Sequence, residues 1–150
     1  MSSLLLKKHF FSKIELRPNH DSKPDGLNRV TCRMGIGKAI EDAKSYQVTL
    51  TINLEQDPVS KEKPHYLGSF EMVGFFAVEP MFKGDPDKLV QISGSSLLYA
   101  AVREMVCNLT ARGPWPMVCL PTINFTPQTT FPLDSEESTA RSEGVEAPKS

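Results

Sequence analysis

The chain has 150 residues, enough for one domain with a real core and too few for two comfortable ones. Hydrophobic residues make up 39% and charged residues 23%, an ordinary balance for a globular chain, and a net charge of −1 excludes a strongly basic nucleic-acid footprint. No apolar run approaches the roughly 18 residues that a membrane span needs, so neither nucleic acid nor membrane insertion is expected.

At the start, Leu4 to Leu6 precede Lys7 and Lys8. A secretory signal has the opposite order, charges first and then a long apolar stretch, so the chain is expected in the cytoplasm. The first strand candidate runs from Phe10 to Arg17, with Phe10, Ile14 and Leu16 on one face and Lys13, Glu15 and Arg17 on the other. The turn-forming stretch Pro18 to Gly26 follows. A second alternating stretch places Val30, Cys32, Met34 and Ile36 in phase. The clearest strand is Tyr46 to Leu54, where Tyr46, Val48, Leu50, Ile52 and Leu54 alternate with polar residues.

After a charged loop, His65 to Val78 reads as a strand that is apolar on both phases, with Tyr66, Phe70, Met72 and Phe76 on one and Leu67, Val73 and Phe75 on the other. Four strands joined by short loops predict an antiparallel sheet. Met81 to Ile92 reads as a loop with a short helical turn. From about Ser95 the period becomes helical, with Leu98, Val102, Met105, Val106 and Leu109 on one face. Ser93, Ser95 and Ser96 are candidate N-caps, and Gly113-Pro114 is a stop. Trp115 to Phe125 reads as extended, and residues 126–150, rich in Pro, Thr, Ser and Glu, as a flexible tail. The expected fold class is therefore α+β: a domain over residues 1–125 with a sheet under one long helix, followed by the tail.

Few residues suggest chemistry. Met34-Gly35-Ile36-Gly37-Lys38 lacks the spacing of a phosphate loop, and Ala39 stands where the magnesium-binding hydroxyl belongs. His9, His20 and His65 are far apart with no ligand partner at metal spacing, and Cys32, Cys107 and Cys119 fit neither a disulfide scaffold nor a zinc ribbon. The three thiols read as buried and free. Arg103, Glu104 and Arg112 read as structural charges, the last suited to the negative end of the helix dipole. No enzyme, metal or cofactor is expected. What remains is surplus apolar surface, with Phe75, Phe76, Trp115 and Met117 near the helix ends, and such a surplus marks an oligomer interface or a binding groove.

The stretch Ser95 to Phe125, SSLLYAAVREMVCNLTARGPWPMVCLPTINF, resembles the signature of the SecB protein-export chaperones. In that family a PNxLFPYARE-type helix ends at SRG or TRG, and a proline-containing segment closes with LAPVNF. Leu97, Leu98, Tyr99, Arg103, Glu104, Arg112, Gly113, Pro116, Leu120, Pro121, Asn124 and Phe125 fall on the pattern. Upstream, Tyr46 to Leu50 is similar to the family's YEVVL strand, Gly74-Phe75-Phe76 to its GGIF, and Leu5 to Asn19 to its first strand.

The resemblance implies a SecB-like four-stranded antiparallel sheet with a long helix on one face. It implies an ATP-independent holdase, a homotetramer built as a dimer of dimers, that holds unfolded preproteins in apolar grooves. By position it assigns Val30, Cys32 and Met34 to the groove, with Phe75, Phe76 and Leu120 added by apolar character, and Tyr99, Arg103, Glu104, Arg112 and Phe125 to the scaffold or oligomer interface. Two departures bear on partners. Lys13, Arg17 and Ser69 stand where the family carries acidic residues that dock the SecA motor, which argues against that contact. Thr126-Pro127-Gln128 replaces the opening of the family's last helix, leaving the groove more open or available to the tail. A dedicated chaperone for an antitoxin-like client, or an interaction module on the same fold, are the rival expectations.

Overall fold

The computed structural model describes residues 3–22, 29–59 and 63–125. The expected tail, residues 126–150, and the altered helix opening within it lie outside the described residues, as does part of the turn before Gly26. Four strands form one antiparallel sheet: β1 (Leu4–Pro18), β2 (Arg29–Lys38), β3 (Ser45–Glu55) and β4 (Tyr66–Val78), in the order β1-β4-β3-β2. The first connection therefore carries the chain from one edge of the sheet to the other. Residues 19–22 of that connection are held against the approach to β4, where the Asn19 amide donates to the His65 carbonyl at 2.8 Å and the Ser22 hydroxyl to the Lys63 carbonyl at 3.0 Å.

Strict alternation makes β3 the centre of the core: Val48, Leu50 and Ile52 are fully buried. Register places Tyr46, Leu50 and Ile52 of β3 opposite Phe76, Met72 and Phe70 of β4, all on the inner face. β1 departs from its expected pattern. Register shifts after Leu6 and after Phe11 insert Lys7 and Ser12 as extra residues. The second shift turns Phe10 to the outer face with Lys13, Glu15 and Arg17, while Ile14 and Leu16 keep the inner face. The Ser12 hydroxyl closes that bulge by donating to a carboxylate oxygen of Glu71 at 2.5 Å.

The helical stretch starts earlier than Ser95. It comprises α1 (Pro86–Leu89), a π-helical turn (Val90–Gly94) and α2 (Ser95–Thr110), with helical backbone at both junctions. The N-cap is Asp85, whose carboxylate accepts from the Asp87 amide at 3.0 Å, and Pro86 fills the first helical position. None of the expected serine caps does that work. Ser95 donates instead to the Met34 sulfur and Ser96 to the Ile92 carbonyl. α1 is tied to the sheet by Asp87, which accepts from the Tyr46 hydroxyl at 2.5 Å and pairs with Lys38 at 3.2 Å.

α2 buries Leu98, Tyr99, Val102 and Val106 on the sheet, and Gly74 of β4 makes the close approach possible. A β-carbon at Gly74 would lie 2.8 Å from the Leu98 side chain. Gly74→Val is expected to destabilise the chain by roughly 1–3 kcal/mol through overpacking. In a Leu98→Ala background the penalty should shrink, as a double-mutant cycle in urea would show.

The Tyr46 hydrogen bond, and after it Lys38, hold the Asp87 carboxyl below its usual range. A lowered folded-state pKa stabilises the fold above the unfolded value and is lost as pH falls through the lowered one. Asp87→Asn should therefore flatten the acid limb of the stability profile below about pH 4, and unfolding midpoints at graded pH will read this.

Candidate functional site

The expected groove residues do not share one surface. Cys32, Met34, Phe76 and Leu120 are each 1% exposed and belong to one buried cluster on the inner face, with Val30 half-buried at its margin. Phe75 is 37% exposed on the outer face, because adjacent residues of a strand point to opposite sides. That separation from Phe76 was legible from the period of a strand alone.

The inner cluster is completed by the segment that follows α2. Leu120 and Phe125 are buried in it, and Tyr99 connects helix and segment: its hydroxyl donates to the Pro121 carbonyl and its ring meets Phe125 edge-on at 6.0 Å. Burial is also what raises the Tyr99 pKa above the usual phenol range. Of the other expected scaffold residues, Arg103, Glu104 and Arg112 are exposed on α2 and the turn after it.

Tyr66 fixes where this segment begins. Its buried hydroxyl stands 3.3 Å from the Thr110 and Trp115 carbonyls and accepts from the Trp115 amide at 3.2 Å. A β-carbon at Gly113 would run into that hydroxyl, so the turn needs glycine for room. Trp115, expected as surplus surface, instead stacks on His65 with ring centroids 4.9 Å apart and donates to the Asn19 carbonyl at 3.0 Å. One residue past this clasp and two further on, the Val118 amide donates to the Thr110 hydroxyl at 2.9 Å.

Two apolar surfaces stay uncovered along β1. On the inner face Ile14 is 46% exposed, with Leu6, Phe11 and Leu16 only partly buried at the sheet edge. On the outer face Phe10 is 41% exposed and packs 6.3 Å from Phe75, with Leu5 exposed nearby and the Lys8 ammonium 5.7 Å from the Phe10 ring. Register also brings Lys13, Glu15 and Arg17 of β1 beside Glu71, Ser69 and Leu67 of β4 on this face. Beyond Phe75 lies an open depression lined by Gly35, Gly37, Lys38, Gln47 and Thr49. Sequence reading missed Phe10 on this face because the bulge at Ser12 depends on cross-strand pairing.

The cysteines need correction. Cys32 is buried, but Cys107 is half-buried and Cys119 exposed. Cys107 follows Val106 and so sits about 100° around the helix from the buried stripe, while Cys119 alternates with the buried Leu120.

An antiparallel sheet in the order β1-β4-β3-β2, roofed by one long helix and a returning segment, is the fold of the SecB-like chaperones. The SecB-like chaperone Rv1957 of Mycobacterium tuberculosis, solved in complex with a ChAD peptide from the Rv1956 HigA1 antitoxin, superposes with a TM-score of 0.63 over 81% of this chain and 91% of that one, at 16% identity. The sequence profile described as preprotein translocase subunit SecB matches residues 21–129. The protein-export protein SecB of Alcanivorax borkumensis is 31% identical over 102 residues, 66% of this chain. The match spans 59% of the length of that relative. The chain belongs to the SecB family.

Tyr66→Phe removes the hydroxyl that three backbone groups share. It should cost roughly 1–3 kcal/mol and shift Trp115 emission to the red as the turn loosens; an unchanged spectrum would contradict the clasp.

Proposed function

We propose that the chain is an ATP-independent holdase chaperone that binds unfolded or extended polypeptides in the cytosol, for export or for a dedicated client. The observation that carries this reading is the excess of apolar surface in a SecB-family fold: one helix and one short segment cover only part of the sheet, and β1 presents apolar side chains on both faces. Sequence-tolerant recognition suits such a surface, since apolar pockets take side chains and a strand edge pairs with extended backbone. The export role of the Alcanivorax borkumensis relative and the antitoxin peptide held by the Mycobacterium tuberculosis chaperone support the two kinds of client. No enzymatic role is proposed.

The client groove is placed along Val30, Cys32, Met34 and Phe76, with the segment 116–125, which carries Leu120, as its cover. A client reaches these residues by displacing that cover, which Tyr99, through Pro121 and Phe125, helps to hold down. The assembly is a homotetramer, a dimer of dimers, in which the uncovered inner side of β1 is buried between copies. Lys8, Lys13 and Arg17 make the outer face of β1 predominantly basic, which disfavours SecA docking by acidic side chains and favours the dedicated version of the chaperone.

Light scattering from several unrelated proteins diluted out of denaturant tests the reading. Suppression of all of them without ATP is the result for a general holdase, and suppression of one alone for a dedicated chaperone. If none is suppressed and one folded protein binds tightly, the interaction module replaces the holdase. Submicromolar SecA binding would overturn the argument from the basic face. Tyr99→Phe removes one hydrogen bond from the cover, worth about 1 kcal/mol, and should tighten client binding up to roughly fivefold.

A further inference from the structure

The structure gathers three sulfur atoms at the end of α2 that the groove does not use. Cys107 lies on the last turns of the helix, and Met117 and Cys119 lie on the segment that returns past it. Two anchors set that segment's position. The Trp115 amide is held by Tyr66, and the Val118 amide by the Thr110 hydroxyl, which itself donates to the Val106 carbonyl at 2.8 Å. In extended chain, residues two apart share a side. With Val118 half-buried against the core, Met117 and Cys119 share the opposite, exposed side. The Met117 sulfur stands 3.1 Å from the Cys107 sulfur, and Cys119 lies near enough to act on the Cys107 thiol.

None of the three is spent on the core. Met117 is 49% exposed, Cys119 exposed and Cys107 half-buried, so the cluster opens to solvent. Free cysteine and methionine ordinarily pack as buried apolar residues. Among the described residues no group of three His, Cys, Asp or Glu side chains is arranged to hold a metal, so the donors on offer here are sulfur alone. Two thiolates and a thioether are a soft set that favours copper(I) over magnesium, calcium or manganese.

We propose that Cys107, Met117 and Cys119 form a three-sulfur binding site for copper(I), clamping the end of α2 to the segment 116–125. Binding breaks the two S–H bonds and releases both protons to solvent. Two thiolate–copper bonds and one thioether–copper bond form. No electron moves, because the ion arrives and remains as copper(I). The product carries one net negative charge; of the charges nearest Cys107 on α2, Arg103 favours it and Glu104 opposes it.

The test uses the full chain, reduced and free of oxygen, in competition with a chromogenic copper(I) chelator. The expected result is one copper(I) taken up per chain, an X-ray absorption spectrum with three sulfur neighbours, and a raised thermal midpoint, since an ion that binds only the folded state stabilises it. Replacing both thiols, Cys107→Ser with Cys119→Ser, should abolish uptake. Met117→Leu, which conserves volume and so preserves the fold, should leave two sulfur neighbours and weaken binding roughly tenfold. The proposal is overturned if the chain takes no copper from the chelator. Uptake undiminished in the double variant, or wild-type affinity in Met117→Leu, overturns it equally.

Discussion

The fold depends on a mismatch of areas. A four-stranded sheet with an apolar inner face has more to bury than one helix can cover, and α2 lies chiefly over β3 and β4. Gly74 lets the helix settle close, with Leu98 in the space a side chain would have taken. The remainder of the inner face is then covered in two ways. One part is covered by the segment after the helix, which folds back and contributes Leu120 and Phe125 to the core. Toward β1 the cover is incomplete: Leu4 is buried and Leu6, Phe11 and Leu16 are partly so, but Ile14 stays half in water. Both the proposed groove and the proposed subunit contact follow from this one shortage of cover.

The hydrogen bonds described for the returning segment gather at its start. Its start is clasped firmly by Tyr66, Trp115 and His65, all close to the sheet end. Its far half depends on the Tyr99 hydroxyl and one aromatic edge contact, beyond the burial of Leu120 and Phe125. A hydrogen bond of this kind contributes only about 1 kcal/mol net. Burial of two side chains adds several more, which an extended client bringing its own apolar residues can replace. In the proposed holdase, exchange of one apolar occupant for another would need no nucleotide.

Much of this architecture was legible in the residues. The alternation of Tyr46 to Leu54 located β3 within a residue at each end, and the two-sided apolar character of β4 was visible because both of its faces are in use. The Ser95 to Phe125 stretch pointed to the family that the profile match shows. The errors have physical causes. The bulges in β1 arise from pairing with β4, which no property of residues 4–18 alone announces. The helix start was missed although Asp85-Pro86 is a proper cap and first residue; the polar turn that follows hid it. Cys107 and Cys119 could not be seen as neighbours, because their meeting depends on how the segment after Gly113 folds back.

Hydrogen exchange in the segment 116–125, with and without an unfolded client, tests the central claim most directly. If the groove lies under this segment, saturating client should strip protection from the Val118 amide while the core amides of β3 stay protected. A client that binds fully and leaves Val118 as protected as before would place the binding surface elsewhere and contradict the account.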